Sequence, residues 1–143
     1  MLRDMMGEER FFAGLRDFFG RYHQGAASTG QFRAAMEAAA GRGLADFFDP
    51  WLNSHELAEV RVNRRLERSG DTTTLKVRVA QSGRVFVFPL WISWKGADGA
   101  ARREKVLVEQ KAQEFELRAS GEVREVAVNP DRAVPGRFLS GKD

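Results

Sequence analysis

The spacing of apolar residues changes near residue 57, from a helical period to a period of two. Before that point, Met1 to Met6 reads as the last turns of a helix stopped by Gly7. Glu8 to Tyr22 follows as a strong amphipathic helix. Phe11, Leu15, Phe18 and Tyr22 recur at i, i+4, i+7 and i+11, and Phe12 and Phe19 widen the stripe. Glu8 and Glu9 sit in the first turn, where negative charge suits the helix dipole. After the break at Gly25, Ser28 and Thr29 both read as N-caps, and Ser28 with Gln31 has capping-box spacing. Phe32, Met36 and Ala39 mark the apolar stripe of an Ala-rich helix ending at Gly41 or Gly43. Leu44, Phe47, Phe48, Trp51 and Leu52 mark a short, very apolar helix in which Trp51 should be largely buried. Pro50 predicts a kink or a boundary inside it, because an interior proline loses a hydrogen bond and crowds the preceding turn.

From residue 58 onward, short alternating runs are separated by turn residues. The runs centre on Val60 and Val62, on Leu75 to Val79, on Val85 to Trp94, on Val106 and Val108, on Phe115 and Leu117, and on Val126 and Val128. The breaks are Ser69-Gly70-Asp71, Gln81-Ser82-Gly83, Gly96 to Gly99, Ser120-Gly121 and Asn129-Pro130-Asp131. The pattern predicts an α+β chain: a helical lobe over 1–56, an antiparallel, immunoglobulin-like β-sandwich of six to seven strands over 57–134, and a C-terminal tail over 135–143. Val85 to Trp94 is apolar on both faces. Phe86, Phe88, Leu90, Ile92 and Trp94 are assigned to the interior, where they can meet Leu75, Val77 and Val106. Val85, Val87, Pro89 and Trp91 then face outward and need a cover. The helical lobe is the expected cover; left bare, the patch would favour a homo-oligomer.

Composition narrows the chemistry. The chain has 143 residues, 43% hydrophobic and 30% charged, with a net charge of +3. That suits a globular fold with a substantial core. The absence of cysteine excludes disulfides, thiol nucleophiles and cysteine zinc sites. No apolar run is long enough to span a bilayer, so no membrane partner is expected, and the first ten residues do not read as a signal peptide. Residues 1–56 carry six arginines against eight carboxylates, a net of −2; residues 57–143 carry 17 basic against 12 acidic residues, a net of +5.

No catalytic, cofactor-binding or metal-ligating residue is assigned. His55-Glu56-Leu57-Ala58-Glu59 begins like the zinc-protease signature H-E-x-x-H, but Glu59 stands where the second imidazole belongs, and the segment reads as a solvated loop. His23 is the one other histidine. Ser28, Ser54 and Ser69 lack an adjacent histidine base, and Glu8 and Glu9 point to different sides of their helix. Arg61, Arg64, Arg65 and Arg68 form one basic run, and Arg102, Arg103 and Lys105 another. Glu59, Glu67, Glu104 and Glu109 interleave with them and no aromatic residue does. The runs therefore read as a mixed-charge sheet face rather than a nucleic-acid surface.

The segment Glu37-Ala38-Ala39-Ala40-Gly41-Arg42-Gly43-Leu44-Ala45-Asp46-Phe47-Phe48-Asp49-Pro50-Trp51-Leu52 resembles the gluzincin zinc aminopeptidases, the relatives of aminopeptidase N. Their catalytic domain tends to end in a helix with Glu, then Gly, Leu, a Phe pair and Trp. Upstream, Met1-Leu2-Arg3 with Gly7, Phe11 or Phe12, and Leu15 resembles the helices after that family's catalytic tyrosine. Thr29 with Phe32 resembles its Thr-x-x-Phe helix start. One departure is that Asn53-Ser54-His55-Glu56 follows the tryptophan region, where the family commonly has a Gly-x-Pro turn. The resemblance implies a small β-sandwich downstream. It also implies a parent that hydrolyses N-terminal peptide bonds of a peptide substrate with a zinc-activated water. The family's zinc-binding H-E-x-x-H, glutamate ligand, Gly-x-Met-Glu-Asn segment and catalytic tyrosine match no position here. The implied role is a non-catalytic scaffold, with the catalytic lobe of the parent as partner and zinc held there; this chain alone is expected to hold no cofactor. The rival reading is a free-standing interaction module using the apolar strand around Trp91 and Trp94.

Overall fold

The computed structural model describes residues 1–141 and divides the chain into two compact units, Met1–Ser54 and one beginning at His55. The first contains four helices: α1 (Leu2–Met6), α2 (Glu8–Tyr22), α3 (Thr29–Ala40) and α4 (Ala45–Asn53). The Ser28 hydroxyl accepts the Gln31 amide and the Gln31 side chain accepts the Ser28 amide, so the capping box forms at the start of α3. Gly41, in the left-handed region at φ 68°, stops α3. α2 and α3 approach closely at Gly14. A side chain there would place its Cβ 2.9 Å from the Met36 sulfur and 3.1 Å from Ala39 Cβ, and Met36 is fully buried.

The link from α3 to α4 explains part of the Glu-Gly-Leu-Phe-Phe pattern physically. The Glu37 carboxylate accepts the backbone N–H of Leu44, the N-cap of α4, at 2.8 Å and pairs with Arg33 at 2.9 Å. Arg33 reaches on to Asp49 at 3.2 Å. Phe18, Phe32, Phe48 and Phe47 then stack edge to face in sequence, with centroids 5.2, 6.0 and 5.4 Å apart. Of the kink or boundary expected at Pro50, the boundary is absent: α4 carries Pro50, buried, and runs on to Asn53. Trp51 is mostly buried, and Phe47, Phe48 and Pro50 are the more enclosed positions of α4.

The second unit is a β-sandwich of β1 (Glu59–Ser69), β2 (Thr72–Ser82), β3 (Phe88–Gly96), β4 (Ala101–Val108), β5 (Ala112–Ser120), β6 (Val123–Val128) and β7 (Arg137–Ser140). One sheet has the order β5-β2-β1-β7 and the other β4-β3-β6. With the helices before it, this is the α+β architecture expected. The interior is Val60, Val62, Leu75, Val77, Val79, Phe86, Phe88, Leu90, Ile92, Val108 and Leu117, all buried. Trp94 closes the same face of β3 and is 7% exposed. The assignment of the larger apolar set to the interior therefore stands.

Two features depart from the sequence reading. The strand expected from Val85 begins only at Phe88. Residues 85–87 leave the ladder, and the buried Gln81 side chain takes its place. Its amide oxygen accepts the Phe86 N–H at 2.9 Å, and its NH2 donates to the carbonyls of Phe86 and Gln110. The residues read as a tail, 135–143, include β7, which pairs parallel with β1, Glu59 opposite Arg137 and Val62 opposite Ser140; Lys142 and Asp143 lie outside the described residues. Phe138 anchors β7 by an edge contact with Phe88, centroids 6.4 Å apart. Gly136, at φ 150°, enters the strand where a Cβ would lie 2.5 Å from the Ala58 carbonyl oxygen. A four-residue strand that pairs on one side with a distant partner leaves too little periodicity to be read locally.

Candidate functional site

The structure scatters the chemically suggestive side chains. His55 and Glu56 are exposed in the segment before β1, and Glu59 begins the strand. Among the described residues, no three His, Cys, Asp or Glu side chains converge where they could hold a metal ion. Ser28 is engaged in its capping box, and the His23 ring nitrogen lies 3.2 Å from the Gly20 carbonyl, one turn back.

Strand alternation also splits both basic runs. On β1, Arg61 and Arg65 lie on the outer face, while Arg64 and Arg68 share the face of Val60 and Val62. Arg64 donates there to the Val126 carbonyl. On the outer face Lys76 pairs with Glu67 at 2.9 Å and with Glu116 at 3.7 Å, and Arg65 joins Glu67 at 3.5 Å. The hydrogen bond with Lys76 lowers the Glu67 pKa, and that with Glu67 raises the Lys76 pKa. On β4, Arg102 turns to Asp98, whereas Arg103 and Lys105 emerge on the opposite face. The Arg102 guanidinium, helped by the Ala100 N–H, holds the Asp98 carboxyl down to about 2. Asp98 thus fixes the β3–β4 turn.

The outward side of β3 carries the most distinctive cluster. Trp91 is half-buried, with the Arg103 guanidinium 4.7 Å and the Lys105 ammonium 5.7 Å from its ring centroid. Lys105 is directly opposite Trp91 in the ladder and Arg103 opposite Ser93, so the antiparallel register delivers both cations to the indole face. Arg103 is further held by Asp131 at 3.4 Å. The sequence places Trp91 outward but does not reveal its cationic cover, because that depends on the β3–β4 register. Val87 and Pro89, on the same alternate set, are buried.

No family model matches the chain, and no curated protein matches it. Among solved structures, it superposes on aminopeptidase A of Legionella pneumophila, a crystal structure in complex with aspartic acid, with a TM-score of 0.75 at 17% identity. The superposition covers 99% of this chain and 17% of that one. The chain shares the fold of that stretch of the aminopeptidase.

Proposed function

We propose that the chain is a non-catalytic scaffold portion of a zinc-dependent aminopeptidase-like metallopeptidase of the aminopeptidase N type. The parent would hydrolyse N-terminal peptide bonds. The observation that carries this reading is the match of nearly the whole chain to one sixth of an aminopeptidase. In this reading the zinc and its activated water are held by other parts of the parent polypeptide. This chain supplies a capped, aromatic-cored helical unit and a sandwich whose interior is already filled.

The coding sequence upstream of Met1 tests the proposal. An in-frame H-E-x-x-H segment within a few hundred residues supports it; a stop codon close upstream sinks it. A second reading, a free-standing interaction module, draws on Trp91, a half-buried indole with two cations against its ring. A short independent reading frame and partner binding lost in Trp91→Ser would favour that one.

A further inference from the structure

The two sheets are unequal on one side of the sandwich. β7 ends the four-stranded sheet and β6 ends the three-stranded one. Between these edges lie two adjoining hollows that share Val128 and Phe138. One, of about 150 Å³, is walled by Val62, Arg64 and Leu139. The other, of about 370 Å³, is walled by Asn129, Arg132, Val134 and Pro135. The walls are otherwise apolar or neutral, and they contain two arginines and no carboxylate.

The Arg64 guanidinium and the Arg132 backbone are each held by hydrogen bonds. Arg64 projects from the interior face of β1 and donates to the Val126 carbonyl of β6, which leaves other guanidinium N–H groups available. Arg132 sits at φ 50° in the loop between β6 and β7. The Asn129 side chain clamps that loop, donating to the Val134 carbonyl at 3.0 Å and accepting the Val134 N–H at 3.2 Å. The Arg132 N–H donates in turn to the Asn129 carbonyl at 3.0 Å. The Arg132 side chain itself is exposed, with no acidic partner among the described residues.

We infer that this groove binds an extended acidic peptide segment. The groove is bordered by two end strands; Arg64 occupies the Val126 carbonyl of β6, and the outer side of β7 suits an added strand. Val128 and Phe138, shared by both hollows, offer apolar contacts to alternate side chains of such a strand. The groove's two arginines, uncompensated by any lining carboxylate, select acidic residues among those side chains. The site lies wholly within the sandwich and does not rest on the peptidase reading.

The test uses the whole chain, isotopically labelled, and a short acetylated peptide of alternating valine and glutamate, with a valine–lysine peptide as counterpart. The acidic peptide should shift the amide resonances of Val128, Val134 and Phe138. Its affinity should fall as salt is added and by about tenfold or more in Arg132→Asn, a substitution that suits the left-handed backbone. Thermal melting of Arg132→Asn should match the parent chain. Arg64→Lys, which keeps the charge but loses the planar fork, should weaken binding less than Arg132→Asn. No binding at millimolar peptide, equal binding of the lysine peptide, or shifts confined to other faces would overturn the inference. So would shifts of the same three resonances with protein concentration alone, which would make a second copy the occupant.

Discussion

Gln81 shows how one side chain can replace a stretch of ladder. Thr73 and Gln81 are the buried polar residues of the described chain, and the Gln81 amide bonds both backbone groups of Phe86. Gln81→Leu keeps the size but removes both of these buried hydrogen bonds, and should cost about 2–4 kcal/mol in urea unfolding. A loss under about half a kcal/mol would mean that water replaces the amide. Glu37 acts similarly in the helical unit, where the Leu44 N–H and then Arg33 lower its pKa. A depressed folded pKa means that its stabilisation is present above the unfolded value and is lost as pH falls through the folded one. Helicity at 222 nm should therefore fall more steeply from roughly pH 5 to pH 3 in the parent chain than in Glu37→Gln. Parallel acid limbs in the two proteins would contradict this.

At the scale of elements, the helices were legible because each carries its own punctuation. The capping box, the Gly41 stop and the i, i+4 aromatic stripe are local signals, and α2 and α3 follow them. Trp51 is less enclosed than Phe48, a ranking that a cluster of apolar residues in sequence does not reveal because it does not say which face of a short helix turns furthest inward. The core position belongs to Phe48, so Phe48→Ala should cost about 3–5 kcal/mol. Trp51→Ala should cost clearly less, a ranking that parallel denaturant melts will check. The sandwich turns were legible from their Gly, Asn and Asp residues, whereas β7 was not, since its partner lies far back in the chain. The groove between β6 and β7 was hidden for the same reason. Gly136→Val combines a positive φ with a Cβ against the Ala58 carbonyl and should detach β7 selectively. Hydrogen exchange would then show the Arg137 and Gly141 amides losing protection, while β2 amides keep theirs.

For the molecule as a whole, the isolated chain should neither hydrolyse chromogenic amino-acid amides nor retain zinc after dialysis; one tightly held zinc per chain would overturn the scaffold reading. The likeness to aminopeptidase A takes in nearly all of this chain and 17% of that one, at 17% identity, so it speaks to architecture and not to chemistry. The parallel pairing of β7 with β1 also sets an order of events during synthesis. The open side of β1 is made early, but its covering strand lies nearly eighty residues later. A nascent chain can complete the helices and zip the β1–β2 hairpin while that side is still bare. Closing it adds a long-range contact of the kind that slows folding. A ribosome stalled before residue 137 would thus present an open sheet edge beside Val60 and Val62, a template for pairing with neighbouring chains that the finished protein no longer offers.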